Sequence, residues 1–141
     1  IIMENESMLK GINHIGIAVK DLDASIEIFK KIFNFEDIHR EKVDQQKVEV
    51  GSFKVGEVLI ELTSPTAQDS PIAKFIEKRG EGIHHIAFES DGIDSELERL
   101  SAEGIKLINE QPVPGAHDML ISFLHPKSTN SVLMEICQPK K

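Results

Sequence analysis

A short pattern occurs twice in this chain, and no other feature limits its possible folds as strongly. Gly11-Ile12-Asn13-His14-Ile15 returns seventy-one positions further on as Gly82-Ile83-His84-His85-Ile86. Each copy closes with a glutamate inside an apolar run, Glu61 in Val58-Leu59-Ile60-Glu61-Leu62 and Glu135 in Val132-Leu133-Met134-Glu135-Ile136. The histidine-to-glutamate separations are also alike, 47 residues in the first copy and 50 in the second. A repeat of this length means that both copies adopt the same supersecondary unit. The 141 residues make one domain's worth of chain. Halves of roughly seventy residues would be marginal alone, so they are expected to share a core, within the chain or with a second subunit.

Each copy opens with a β-branched run that reads as a strand. Alternation puts Ile15, Ile17 and Val19 on one face and His14, Gly16 and Ala18 on the other; His85 and Ala87 repeat the second set. The residue two beyond each histidine is very small (Gly16, Ala87), which predicts open space beside each imidazole. A helix follows each strand. Leu22, Ile26, Phe29 and Phe33 keep helical spacing behind a capping Asp21, and Ile93, Leu97 and Leu100 keep the same register in the second copy. Further strands are expected over 43–53, 58–62, 106–109, 120–124 and 132–137. A helix over 71–79, capped by Ser70 and stopped by Gly80, joins the halves.

The expected fold is therefore α+β, two tandem βαβββ modules with mixed sheets, and the family resemblance given below implies that they form a curved mixed sheet around a metal site. Residues 8–139 make a single domain, with module one at 8–66, a linker helix at 67–80 and module two at 81–139. Residues 1–7 precede Met8 and read as a disordered start or an added remnant.

A glutamate inside an apolar strand is informative, because an unpaired buried carboxylate costs several kcal/mol. It needs a cation, and the same anomaly stands in both copies. His14, Glu61, His85 and Glu135 thus form a candidate ligand set for one divalent metal. Imidazole nitrogen with carboxylate oxygen suits Mn²⁺, Fe²⁺, Co²⁺, Ni²⁺ or Zn²⁺, and four such ligands leave a position open for Lewis-acid chemistry.

Composition excludes other classes. A net charge of −8 argues against general nucleic-acid binding. No apolar run approaches the roughly 18 residues of a membrane span. The single cysteine, Cys137, allows no internal disulfide, and a cytoplasmic setting is expected. Cys137 shares a strand face with Glu135 and reads as a packing residue.

Four stretches carry a family resemblance. They are Asn13-His14-Ile15-Gly16-Ile17-Ala18-Val19, Asp69-Ser70-Pro71-Ile72-Ala73, Gly82-Ile83-His84-His85-Ile86-Ala87-Phe88, and Phe123-Leu124-His125-Pro126-Lys127-Ser128-Thr129 running into Val132-Leu133-Met134-Glu135. With the paired modules and the His…Glu…His…Glu set, the chain resembles the vicinal oxygen chelate superfamily. That group holds glyoxalase I, extradiol dioxygenases, thiol transferases and antibiotic-binding proteins. Within it the chain is similar to the methylmalonyl-CoA epimerase family over essentially all of residues 8–139.

The resemblance implies that His14, Glu61, His85 and Glu135 are the metal ligands, the first carboxylate position being glutamine in some members. It implies a metal-dependent epimerase interconverting (2R)- and (2S)-methylmalonyl-CoA, by proton abstraction at C2 through a metal-stabilised enediolate. Co²⁺ is the metal expected for activity, and Zn²⁺, Mn²⁺, Ni²⁺ or Fe²⁺ also suit the site. Glu49 falls where similar bacterial epimerases carry a catalytic glutamate. Alternation places it with Gly51, away from Val48 and Val50, and the expectation is that it projects into the cavity; without the resemblance it reads equally as a solvated strand residue. Glu135 is the second expected base, with His117 and His125 as alternatives, and Lys127 as a contact for a CoA phosphate or the substrate carboxylate. Asp118 departs from the family pattern, which has glycine there. The expected partners are methylmalonyl-CoA and a second copy in a homodimer, with no nucleic acid or membrane. The competing readings are a glyoxalase-I-like lactoylglutathione lyase and a non-catalytic antibiotic-binding protein. The second suits poorly a chain with no Trp or Tyr to stack a ligand.

Overall fold

The computed structural model describes residues 9–140; the reading of residues 1–7 as a disordered start lies outside them. Among the described residues eight strands and three α-helices follow one another as β1 (Leu9–Ala18), α1 (Leu22–Phe33), β2 (His39–Val43), β3 (Val48–Val55), β4 (Val58–Pro65), α2 (Pro71–Arg79), β5 (Gly82–Ser90), α3 (Ile93–Ala102), β6 (Val113–Pro114), β7 (Met119–Leu124) and β8 (Met134–Pro139). All eight strands join one mixed sheet in the order β2-β3-β4-β1-β5-β8-β7-β6. The order shows the repeat: β1 runs parallel to β4, β5 runs parallel to β8, and β1 and β5 meet antiparallel at the centre. The halves therefore join within one chain through their opening strands.

Local chemistry accounts for the helices. Asp21 caps α1, its carboxylate accepting the Ala24 N–H at 3.0 Å, and Asn34 ends the helix in the left-handed conformation. Ser70 caps α2 by accepting the Ile72 and Ala73 N–H groups at 3.1 and 3.4 Å, with Pro71 in the first turn. Helix α1 covers one side of the sheet through Leu22 and Ile26 packed with Val19, Phe53 and Leu62. On the same side of the other half, α3 buries Ile93 and Leu97 against Leu124 and Ile136. The sheet's other face curls around a cavity, with Ala18, Val43, Val48, Val50 and Ile72 in one wall and Ala87, Met119 and Ile121 in the other.

Two strand expectations need correction. The stretch 43–53 is not one strand: a 3-10 turn at Asp44–Gln46, with Lys47 at φ +55°, breaks it into the β2–β3 hairpin. The expected strand at 106–109 is reduced to an isolated bridge between Leu107 and Leu124. The second strand of that half is instead the two-residue edge strand β6. Pro112 and Pro114 donate no N–H, which suits an edge and nothing further inside a sheet.

Candidate metal centre and active-site cavity

Strand pairing explains why the four candidate ligands converge. Gly16 stands opposite His85 on one side and opposite Glu61 on the other. Ala87 repeats this, flanked by His14 and Glu135. Each small residue is thus bracketed by one imidazole and one carboxylate, and the two brackets lie side by side across the β1–β5 seam.

The resulting cluster is tight and buried, with His14, Glu61, His85 and Glu135 only 5, 5, 8 and 3% exposed. Nε2 of His14 lies 3.1 Å from Nε2 of His85, 3.5 Å from Glu61 Oε1 and 3.4 Å from Glu135 Oε2. Nε2 of His85 is 3.3 Å from Glu135 Oε1. The open space expected beside the imidazoles has a different use. A Cβ on Gly16 would sit 2.2 Å from Cε1 of His85, so the missing side chain makes room for the second histidine.

The far side of each imidazole is held by the residue just before it. His14 Nδ1 lies 2.7 Å from Asn13 Oδ1, while Asn13 Nδ2 donates to Glu89 Oε1 at 2.8 Å. The carboxylate can only accept, so it orients the amide, the amide oxygen takes the His14 Nδ1 proton, and in the neutral ring Nε2 keeps a free lone pair. His85 Nδ1 lies 2.9 Å from Nδ1 of His84, whose ring packs edge-on against Phe75. Burial lowers His84 to about 4, leaving it neutral and able to accept. The sequence reading missed both supports, yet their signal was present: a polar side chain precedes the histidine in each copy.

The donor set fits a divalent cation. Two imidazole nitrogens face each other, two carboxylates flank them, and no Lys or Arg among the described residues lines the cavity. Glu135 Oε2 is buried with no hydrogen-bond partner. Burial pushes the Glu61 carboxyl up to about 7, helped by the charges of Glu135 and Glu41 and opposed by His14. Burial works to lower His14, yet the adjacent Glu135 carboxylate and the charge of Glu61 raise it. His85 is held well below its ordinary value by burial and by its two histidine neighbours. A cation would relieve these carboxylates, whose burial otherwise costs several kcal/mol. Cys137 lies near His14 and Glu135, but burial and then the adjacent carboxylates push its thiol far up, so it offers no thiolate.

Around the cluster the cavity extends over about 430 Å³, walled mainly by apolar side chains with Gln45, Gln46, Thr63, His84 and Asn109 as polar exceptions. Glu49 is not among its lining residues, and its expected place in the cavity is corrected. Directly opposed residues on paired strands point to the same face. Ser52 pairs with Glu61, so Ser52, Val50 and Val48 turn inward with it, and Glu49 turns outward. Glu49 lies 3.3 Å from Arg40 Nη2, on the face that packs towards α1. A signal for this was also present, since a two-residue turn at Gly56-Glu57 pairs 55 with 58 and hence 52 with 61.

His117 approaches the cluster from behind, 3.7 Å from Glu61 Oε2 and 2.8 Å from Ser52 Oγ. Asp118 sits at φ +55°, a conformation that favours glycine and that aspartate tolerates. His125 caps a short turn, accepting the Lys127 N–H at 3.1 Å; neither it nor Lys127 lines the cavity.

A curled sheet with a buried pair of histidines and glutamates at its centre matches the Glyoxalase/Bleomycin resistance protein/Dioxygenase superfamily. The chain belongs to that superfamily, whose model matches residues 13–123. More particularly, it is similar to methylmalonyl-CoA epimerases. The mitochondrial methylmalonyl-CoA epimerase of Dictyostelium discoideum is 39% identical over 128 residues, covering 89% of this chain and 76% of that protein. The crystal structure of methylmalonyl-CoA epimerase from Mycobacterium tuberculosis has a TM-score of 0.93 at 34% identity, covering 99% of this chain and 94% of that one. A methylmalonyl-CoA epimerase in complex with methylmalonyl-CoA and NH4+ has a TM-score of 0.89 at 35% identity, over 93% and 95% of the two chains.

Proposed function

We propose that this chain is a metal-dependent epimerase that interconverts (2R)- and (2S)-methylmalonyl-CoA by moving the proton on C2. One observation carries the reading: four buried donors, His14, Glu61, His85 and Glu135, meet at a cavity in a chain similar to epimerases along most of its length. The same four residues would hold the ion, and Co²⁺ is the metal proposed for activity. When bound, a divalent ion supplies Lewis-acid polarisation of the thioester carbonyl, which makes the C2 proton more acidic.

The rest of the chemistry falls to the chain's own side chains. The apolar walls exclude water from the reacting carbon, which strengthens every charge interaction inside. Inversion requires the C–H bond to break towards one face and re-form from the other, so two proton-carrying groups are needed. Glu135 is the first, its Oε2 free of hydrogen bonds. Glu61 is the other carboxylate lining the cavity, contributed by the opposite half, and it takes the role expected of Glu49. Asn13 and His84 keep the imidazoles in register. A homodimer is supported by Ile28 and Ile32, exposed on α1. A cytoplasmic setting is supported by the one cysteine, free and buried.

Deuterium exchange at C2 of methylmalonyl-CoA, measured beside turnover of a glutathione hemithioacetal by the Co²⁺-loaded protein, tests the assignment. Exchange with no hemithioacetal turnover is expected. Turnover of the hemithioacetal alone would make the chain a glyoxalase-like lyase instead.

A further inference from the structure

The rim of the cavity carries a second group of ligand-type side chains. His39 opens β2, Glu41 follows two residues along the same strand, and His117 lies in the turn between β6 and β7. One donor atom from each lies within 4.8 Å of the other two. His39 Nε2 is 3.3 Å from Glu41 Oε1, and the His39 and His117 rings stand 4.7 Å apart with their planes 34° from parallel. Glu41 Oε1 also accepts the backbone N–H of His117 at 2.9 Å.

These residues come from opposite halves of the chain. His117 and Asp118 hold φ angles of +58° and +55° in consecutive positions, a conformation uncommon for residues other than glycine. Glu41 has no Lys or Arg partner among the described residues, because the adjacent Arg40 reaches Asp23 at 2.6 Å and Glu49 at 3.3 Å. The group is thus two imidazoles and one carboxylate with no fixed cation beside it. Such donors suit Zn²⁺, Co²⁺, Ni²⁺ or Cu²⁺.

Position gives the group a consequence. Ala116 and Met119, on either side of His117 and Asp118, both line the cavity, as does Val43 at the end of β2. An ion held between β2 and the turn would fix that wall. The side chains of His39, Glu41 and His117 are 56, 30 and 25% exposed, so water competes here far more than at the buried cluster.

We propose that His39, Glu41 and His117 form a second site for a divalent transition-metal ion, weaker than the buried one, which ties the two halves together at the rim of the cavity. The site stands independently of the epimerase reading. Calorimetric titration of the chelator-stripped protein with ZnCl₂ tests it, with His39→Ala and Glu41→Gln as variants. His39 is exposed, and Glu41→Gln keeps an oxygen for the His117 N–H, so both variants retain the fold. The expected result is a weaker class of sites whose dissociation constant rises at least about ten-fold in each variant, while any tighter class, which feels Glu41 only through its charge at a distance, changes by less than about three-fold. Amide hydrogen exchange over 117–119 should slow as the weaker class fills in the wild type, and should not respond in His39→Ala. If every bound equivalent survives both substitutions with the same affinity, no ion sits at the rim and the proposal falls. That result would leave the epimerase reading untouched, since no substrate enters the measurement.

Discussion

Gly16 and His85 occupy the same volume from opposite strands: a Cβ on residue 16 would lie 2.2 Å from Cε1 and 2.5 Å from Nδ1 of the His85 ring. Both atoms belong to a ring pinned between His14 and His84, so it has little freedom to retreat. Gly16→Ala should therefore displace the His85 imidazole without unfolding the sheet. Metal affinity is expected to fall by roughly 10–100-fold, and C2 exchange with it. A competition titration against a chromophoric chelator, alongside far-UV circular dichroism, checks this. Unchanged affinity would mean that His85 is not a ligand.

The residues behind the imidazoles should matter in the same way. Asn13→Ala removes the oxygen that fixes the His14 tautomer, and His84→Leu removes the acceptor behind His85. Each should weaken metal binding by about 10–100-fold while all four ligands stay in place. The same chelator competition reads the effect, and additivity of the double variant would show that each acts on its own histidine.

The Glu61 carboxyl is expected to make stability depend on pH in opposite ways with and without metal. In the metal-free protein its folded value is raised from 4.5 to about 7. Below 4.5 both folded and unfolded chains are protonated there, and Glu61 contributes nothing to the pH dependence. Between 4.5 and about 7 the folded state binds the extra proton, so its contribution to stability falls as pH rises. Glu61→Gln should thus be more stable than the metal-free wild type at pH 8, by up to about 3 kcal/mol, and the gain should shrink towards pH 4.5. With metal bound the order reverses, because the wild type gains linkage stabilisation that the variant loses, about 4.1 kcal/mol at a ligand concentration a thousandfold above Kd. Urea unfolding at two pH values, with and without Co²⁺, tests both signs.

Glu49 and Glu135 should separate cleanly. Glu49→Gln alters only an outward residue beside Arg40, and kcat/KM for C2 exchange is expected to stay within about three-fold of wild type, a change of under 1 kcal/mol. Glu135→Gln removes a ligand and a proton carrier together, and a loss of at least about 10²-fold is expected. Equal, large losses in both variants would place Glu49 back in the reaction.

Much of this arrangement was legible in linear pattern. The recurring histidine and glutamate, the capped helix from Ser70 to Gly80, and the period-two alternation in β1 and β5 are local signals, and each corresponds to an observed element. Glu49 shows where local pattern stops. Alternation correctly grouped it with Gly51, but a strand's two faces are equivalent until a partner strand distinguishes them. Its pairing with β4, Ser52 opposite Glu61, turned Val48 and Val50 inward. The stretch 106–109 failed for a related reason, since an apolar run becomes a strand only where a neighbour pairs along its length, and here two backbone bonds around Leu107, from Ile108 N–H to Phe123 and from His125 N–H to Lys106, make one isolated bridge.

The four donor identities and their repeat follow from composition and spacing, because an apolar strand does not place a carboxylate in its interior twice without a cation to meet it. That they meet at one point is a property of the folded chain. It depends on β1 pairing with β5, seventy-one residues away between His14 and His85, in a register that sets Gly16 against His85 and Ala87 against His14. A slip of one residue would turn the histidines of one half to the other face of the sheet. Long-range pairing of this kind is settled by the total burial of both halves, which no single window of sequence contains.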